Sequence, residues 1–570
     1  MFGMGSIGVI EDWREGPRSP MAADHHEAMR PGEQEFATPP WVWLWDSSAS
    51  FFLRAETETH AKMTVEWGVE GGEVFLDLGW ERQGSKGFVS CENWPREVVG
   101  LKRVESPLPP AGWVVPGGGR GQGDGGSGGF RAAHLEAESS RSTFTPQPPP
   151  PESQEEGEYS SPKPKSKVQN PKSLIWGSWN DGIYRDIDQD RILQTADWIK
   201  ANVPNCRWIQ IDDGWAPIPN SQAPMSHFGH FYEPEMLEGD ARFPDGMKGL
   251  AAAIKARGLR PMIWITPAVH ENSSLYIERP DWFQPEARLY FMPELRFLDT
   301  SQQETRDFID RSLDLVFGAW EFEGCKLDFW TMGFEGKHLG FQNPETDGST
   351  ERRWFVDAIR KRLPEDGILL HCIDIPFGDP HRSVGFDAFR YYSDSEGSCQ
   401  NLAMMKEQAL WAAFLCGFYR VQRRWIPDGD GMGLFRHFDM PENRYRLWLA
   451  FLMGSGTLLE LSGWLHAFSN DPRLDLLRRV LPHANPGGSV EVPGFDFAQT
   501  DREPPVEWHT LTSSGLKLVA LTNWSGSVLT RTITDELGPS EWEDLLTGEV
   551  FARGDEIRIG PEDGRLLVAR

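Results

Sequence analysis

From residue 171 onward the chain alternates short apolar runs with segments of helical period, and this alternation limits the possible folds more than any other feature of the sequence. The runs are LIWGSW (174–179), RWIQIDD (207–213), LRPMIWI (259–265), GCKLDFW (324–330), GILLHC (367–372), AFRYYSD (388–394), GFYRV (417–421) and TLLEL (457–461). They are continuous rather than alternating, as expected of parallel strands covered on both faces. Between them apolar residues recur at helical spacing. Ile192, Ala196 and Ile199 set one face, and Met247, Leu250 and Ile254 a second that stops at Gly258, a suitable C-cap glycine. Phe308, Leu313 and Val316 set a third, and Trp354, Phe355 and Ile359 a fourth that ends by Pro364. Further helices are expected at 401–416 and 443–452. Eight strands, mostly separated by helices, predict an α/β fold, a closed (β/α)8 TIM barrel over 171–486. An open doubly wound sheet is the competing architecture.

The flanks read differently. Residues 36–115 contain short aromatic β runs, WVWLW (41–45), FFLRAE (51–56), AKMTVEWGV (61–69) and EVFLDLGW (73–80), and predict an N-terminal β-sandwich-like domain. Residues 487–570 return to short β runs at 517–526, 528–534, 556–560 and 565–569, which predict a C-terminal antiparallel β-sandwich. Residues 1–35 show no period and are expected to form a disordered arm. Residues 116–170 hold PGGGRGQGDGGSGG, QPPPPESQEEGE and SPKPKSK, with too little apolar surface to offset the cost of ordering the backbone. They are expected to be a disordered linker.

Composition narrows the function. A net charge of −28 disfavours nucleic acid and anionic membrane surfaces and suits a neutral substrate. Tryptophan is abundant, 25 residues against 9 tyrosines, and indole faces stack on the apolar faces of sugar rings as well as filling cores. The six cysteines, Cys91, Cys206, Cys325, Cys372, Cys399 and Cys416, form no CxxC pair and no disulfide framework. A structural zinc site is therefore not expected, and a reducing compartment is. The opening MFGMGSIGVIEDW lacks a basic region and meets an acidic pair early, so no signal peptide is read. No stretch is long enough to span a membrane. The expected location is the cytoplasm.

In a barrel the chemistry stands at the C-terminal ends of the strands. Asp212 and Asp213 end the second run, Lys326 and Asp328 lie two apart on one face of the fourth, His371 and Cys372 end the fifth, and Arg390 and Asp394 close the sixth. A single charge at a strand end is commonly a solvated turn residue. Lys326 and Asp328 within an otherwise apolar strand are harder to explain that way, because buried charges are paired or functional. Several carboxylates around one barrel mouth, without a metal-ligand pattern, point to sugar chemistry, in which one carboxyl attacks the anomeric carbon and a second shuttles the proton. Additional carboxylates can hold sugar hydroxyls.

IQIDDGW (209–215), GLRPMIWITP (258–267), KLDFW (326–330) and FRYYSD (389–394), with RFPDGMKGLAAAIKARGL (242–259), resemble glycoside hydrolase clan D, the alpha-galactosidase and melibiase families 36 and 27. The resemblance covers roughly residues 172–470. It implies that Asp328 is the nucleophile and Asp394 the general acid/base. Asp212 and Asp213 would bind the 4- and 6-hydroxyls of the sugar, Lys326 would bind ring hydroxyls and steady the nucleophile, and Arg390 would lie near the 2-hydroxyl. Trp176 would form an aromatic wall, with Trp215, Trp264 and Cys372 as further substrate-binding candidates. HCIDIPFGDP (371–380) departs from the Gly-rich stretch many members carry, and Glu396 stands where many have another Asp.

The resemblance implies a retaining alpha-glycosidase that hydrolyses terminal alpha-galactosides. The alternatives are a raffinose-synthase-like transglycosidase, an alpha-N-acetylgalactosaminidase, a sugar-binding protein on a retained barrel, and a metal-dependent hydrolase using Asp212, His371 and Asp328. No motif implies a metal or organic cofactor, and the expected partner is a small oligosaccharide or glycoside. The mechanism requires an ionised Asp328, favoured by Lys326, and a protonated Asp394. Arg390 works against that proton, so its charge must be offset, with the substrate-binding carboxylates the expected source.

Overall fold

The computed structural model describes residues 173–570 apart from 217–224, 233–239, 290–291, 335–338, 373–384, 396–398, 400, 419–424, 437–438, 496–502 and 535–536, and before residue 173 it describes the backbone of eight strands. Eight parallel strands close a barrel: Leu174–Gly177, Cys206–Ile211, Arg260–Ile265, Gly324–Leu327, Ile368–His371, Ala388–Arg390, Ile426–Met432 and Leu458–Leu461, the last pairing with the first. The competing open sheet is thereby excluded.

The local chemistry explains most of the helices. Asp188, Asp347 and Asn401 each accept a hydrogen bond from a backbone N–H of the first turn and start Gln189–Asn202, Gly348–Arg360 and Leu402–Ala412. Ile192, Ala196 and Ile199 bury one face of the first of these helices. The helix Gly246–Ala256 buries Met247, Leu250 and Ile254. It closes with Gly258 at φ +79°, its N–H donating to the Lys255 carbonyl, as the sequence predicts. Gln303–Leu313, Glu442–Gly454 and Pro472–Val480 complete the longer helices around the barrel.

The barrel lumen is filled rather than hollow. Ile175, Trp208, Met262, Ile368, Leu370, Cys372, Ala388, Ile426 and Leu458 form one inward cluster. Trp208 takes so much of this space that the fourth strand opens with Gly324. A Cβ there would stand 2.9 Å from the Trp208 ring and 2.8 Å from Ile368. Towards the C-terminal ends of the strands the inward side chains turn polar.

One expectation fails. The seventh strand is not GFYRV (417–421) but Ile426–Met432, IPDGDGM. Gly417 and Phe418 belong to a wide helical turn, Ala413–Phe418, that extends the preceding helix, and 419–421 lie outside the described residues. A three-stranded antiparallel sheet of Ala268–His270, Phe283–Leu289 and Met292–Leu298, which the sequence reading did not anticipate, follows the third strand.

After the barrel come two antiparallel sheets. One holds Glu507–Leu511, Lys517–Asn523, Asp563–Ala569, Glu541–Asp544 and Val550–Ala552, and the other Leu529–Thr532 and Glu556–Ile559. Val519, Leu521, Trp542, Ile557, Ile559 and Leu567 pack together in their core. At the N-terminus, Gly3–Gly5, Trp41–Trp45, Ser50–Ala55 and Val89–Asn93 form one antiparallel sheet, and Gly32–Phe36, Lys62–Glu70, Glu73–Arg82 and Ser85–Lys86 a second. Most of the expected arm and all of the expected 116–170 linker lie outside the described residues.

Candidate active site

Above the apolar lumen, the strand ends bring a set of charged side chains into one buried layer. Asp212, Lys326, Asp328, Arg390, Asp428, Asp430 and Glu460 each expose 5% or less of their surface, so each charge must be balanced by a neighbour. Lys326 on the fourth strand donates to Asp212 on the second at 2.8 Å. Asp212 also accepts from Gln210 at 2.6 Å, and its other oxygen accepts the Asp213 N–H at 2.8 Å.

Asp328 lies one residue beyond the fourth strand. One oxygen accepts the Trp264 indole N–H at 3.0 Å and the other the backbone N–H of Phe329 at 2.8 Å. Phe329 sits at φ +47°, unusual for a bulky side chain, and this turn brings its N–H back onto the carboxylate. Burial pushes the Asp328 carboxyl up to about 7, although Lys326 and the Trp264 N–H pull it down and Asp394 and Asp212 add to the rise. Burial outweighs the lowering by Lys326 that the sequence leads one to expect.

Arg390 on the sixth strand holds the other half of the layer. Its guanidinium meets Asp394 at 3.0 Å, Asp428 at 2.8 Å and Asp430 at 2.8 Å. The second Asp394 oxygen accepts the indole N–H of Trp179 at 3.0 Å. Burial raises the Asp394 carboxyl above the usual range and the Asp430 charge adds to this, while Arg390 and Lys326 oppose it. Most of the offset to Arg390 therefore comes from Asp428 and Asp430 on the seventh strand rather than from Asp212 and Asp213. Asp430 is held below the ordinary range despite burial, by Arg390, Lys326 and hydrogen bonds from the Ser395 N–H at 2.5 Å and hydroxyl at 2.9 Å.

The remaining candidates lie as follows. Asp213 pairs with Arg185 at 2.6 Å and accepts the Ser226 N–H at 2.6 Å, and burial raises its carboxyl. Cys372 is buried in the lumen beneath the charged layer. Trp264 joins a cluster with Leu289, Leu295 and Phe297 of the added sheet. Trp176 and Trp215 belong instead to the cluster between barrel and helices. Trp176 donates to the Gly463 carbonyl at 3.1 Å beside Trp464, and Trp215 to the Trp264 carbonyl at 2.8 Å. Trp179, three residues beyond Trp176, is the aromatic side chain that reaches Asp394. His371 is buried edge-on between Trp330 and Phe386.

Sequence reasoning missed Trp179, Asp428, Asp430 and Glu460. Glu460 was detectable by the rule applied to Lys326, as a lone charge inside the apolar run TLLEL. Asp428 and Asp430 repeat the two-residue spacing of Lys326 and Asp328, but in a segment that does not read as a strand. Among the described residues no three His, Cys, Asp or Glu side chains are grouped to hold a metal ion.

The fold is a TIM barrel that carries a layer of carboxylates at the C-terminal ends of its strands. Residues 162–339 match the Melibiase family model, a span that includes Asp212, Asp213, Lys326 and Asp328. Over this span the chain is similar to the melibiases, and it carries the fold of clan D enzymes. An alpha-galactosidase of Geobacillus stearothermophilus is 24% identical over 214 residues, 34% of this chain and 26% of that protein, so the match spans about a quarter of the relative. A GH27 β-L-arabinopyranosidase from the same organism shares the fold at a TM-score of 0.54 and 17% identity, over 71% of this chain and 97% of that one. Its arabinose complex gives 0.53 and 16%, over 71% and 98%.

Proposed function

We propose that the chain is a retaining alpha-glycosidase that removes terminal alpha-galactosyl units through a covalent glycosyl-aspartate on Asp328. The observation that carries this reading is that the charged layer presents two carboxyls in different environments, Asp328 buried and Asp394 at its partly exposed edge. Asp328 is held by two N–H donors and Asp394 by a guanidinium, itself balanced by two further carboxylates, and an indole. A double displacement needs two such groups, roughly 5–5.5 Å apart in retaining enzymes. In the first step the Asp328 oxygen bonds to the anomeric carbon while the Asp394 proton passes to the departing oxygen. In the second, Asp394 takes a proton from water, whose oxygen displaces Asp328.

Asp212, ordered by Lys326, and Asp213, ordered by Arg185, are the proposed acceptors for the 4- and 6-hydroxyls, and Arg390 the group near the 2-hydroxyl. A galactoside and an L-arabinopyranoside differ in the group at C6, so the two substrates compared side by side report whether that contact is used. The test is hydrolysis of p-nitrophenyl alpha-D-galactopyranoside. We expect turnover by the wild type and none by a folded Asp328→Ala. Equal turnover by both would overturn the assignment of the nucleophile, and inactivity of the wild type would overturn the substrate.

A further inference from the structure

Glu460 takes no part in the reaction as described, yet it stands at the centre of the charged layer. It is 1% exposed, on the eighth strand, beside Gly177 of the first. Gly177 has no room for a side chain, because a Cβ there would overlap the Glu460 carboxyl, so the first strand makes space for this group. Neither Glu460 oxygen has a hydrogen-bond partner among the described residues. A buried carboxyl in that state costs free energy and calls for an explanation. One Glu460 oxygen lies 3.8 Å from the Lys326 ammonium and 3.9 Å from the Arg390 guanidinium, beyond hydrogen-bond reach of either but close to both.

Lys326 serves the Asp212 and Asp328 half of the layer, and Arg390 the Asp394 half. A charge equidistant from the two cations therefore acts on both halves through short paths in a poorly screened interior. We propose that Glu460 is a positioning residue that joins these halves into one electrostatic unit, so that its own ionisation governs how firmly Asp394 keeps its proton. This inference rests on the reading of Asp328 and Asp394 given above.

The charged groups that act on Glu460 are Asp212 on the second strand, Lys326 on the fourth, Arg390 on the sixth and Asp430 on the seventh. Burial, with Asp430 and Asp212, raises the Glu460 carboxyl to about 8, against the pull of Lys326 and Arg390. Its negative charge is thus absent in acid and present on the alkaline side, where Asp394 must still hold a proton. There the added charge opposes ionisation of Asp394 and delays the loss of its proton.

Glu460→Gln keeps the shape and removes the titration. The expected result is asymmetric: the acid limb of the pH profile of kcat/KM is unmoved, since Glu460 is neutral there in the wild type. The alkaline limb moves to lower pH by roughly one unit. Glu460→Asp, which keeps a charge but withdraws it by one methylene, moves that limb by less than half as much. A purely structural role would lower the amount of active protein and leave both limbs in place. An alkaline limb that coincides with the wild type, or two limbs that move together, would overturn the proposal. Carbon NMR titration of Asp394 in aspartate-labelled wild type and Glu460→Gln reads the same shift with no substrate present. If the wild type hydrolyses no alpha-glycoside, the glycosidase reading fails by itself, and the NMR titration still decides the role of Glu460.

Discussion

Asp328 and Asp394 sit in one layer but are held differently, and each difference has a measurable consequence. Because the Asp328 carboxyl is pushed up to about 7, the ionised form of the proposed nucleophile becomes scarce below that pH. We expect kcat/KM to fall about tenfold per unit on the acid side of pH 7, which a pH–rate profile would read directly. The same shift has a cost for the fold. A carboxyl whose folded-state value lies above its unfolded one gives stability that is full below the unfolded value and is lost as pH rises through the folded one. Above pH 7 the wild type bears this penalty and Asp328→Asn does not. The variant should therefore melt at a higher temperature than the wild type at pH 8, and the difference should shrink at pH 4. For Asp394, the proposed proton donor, removal of the carboxyl should matter most where the leaving group is poor. Asp394→Ala is expected to lose about 10²–10⁴-fold on alkyl or sugar aglycones and much less on activated phenols. Equal losses on both would remove the acid role.

The element that decides the site is the seventh strand, and it is also where sequence and structure part. IPDGDGM carries proline, two glycines and two aspartates, residues depleted in strands, whereas GFYRV carries the aromatic and β-branched residues that strands favour. The barrel reverses that preference because the strand's aspartates have a buried partner. Asp428 and Asp430 both meet Arg390, and a register irregularity between Asp428 and Gly431, with Asp430 at φ +59°, lets them do so. No local rule sees a guanidinium contributed by another strand. The apolar strands with ordinary composition, such as RWIQIDD and GCKLDFW, were legible, as were the residues they carry. Trp179 was not, since the first strand's end offers Trp176 and Trp179 and only the packing shows which one reaches Asp394. Removing an Asp428 carboxylate should leave a buried guanidinium short of charge. We expect Asp428→Ala to lose about 3–5 kcal/mol of stability, read by denaturant unfolding. A loss below about 1 kcal/mol would show that Asp430 and Asp394 suffice to balance Arg390.

At the scale of the molecule, the barrel and the C-terminal sheets share a core. The helix Glu442–Gly454 buries Leu447, Trp448, Phe451 and Leu452, and the ring of Phe451 lies 5.7 Å from that of Trp508 and 6.0 Å from that of Trp524 in the C-terminal region. Gly454 and Gly564 mark close approaches. A Cβ on the first would stand 2.6 Å from the Ala520 Cβ, and on the second 2.8 Å from the Ala450 Cβ. With this face shared, calorimetry should show the barrel and the C-terminal sheets melting in one transition, and Gly564→Val should lower it as a whole; two separate transitions would mean that the regions are energetically independent. No helix among the described residues is long and apolar enough to cross a membrane.

The claim on which the rest depends is the covalent bond to Asp328. A fluorinated galactosyl donor slows the second displacement more than it slows the first, so that the glycosyl-enzyme accumulates. Peptide mass spectrometry of the inactivated protein should find the sugar's mass on the peptide that contains Asp328, with none on the Asp394 peptide. Turnover of the unfluorinated substrate without any adduct, or an adduct on another carboxylate, would contradict the account.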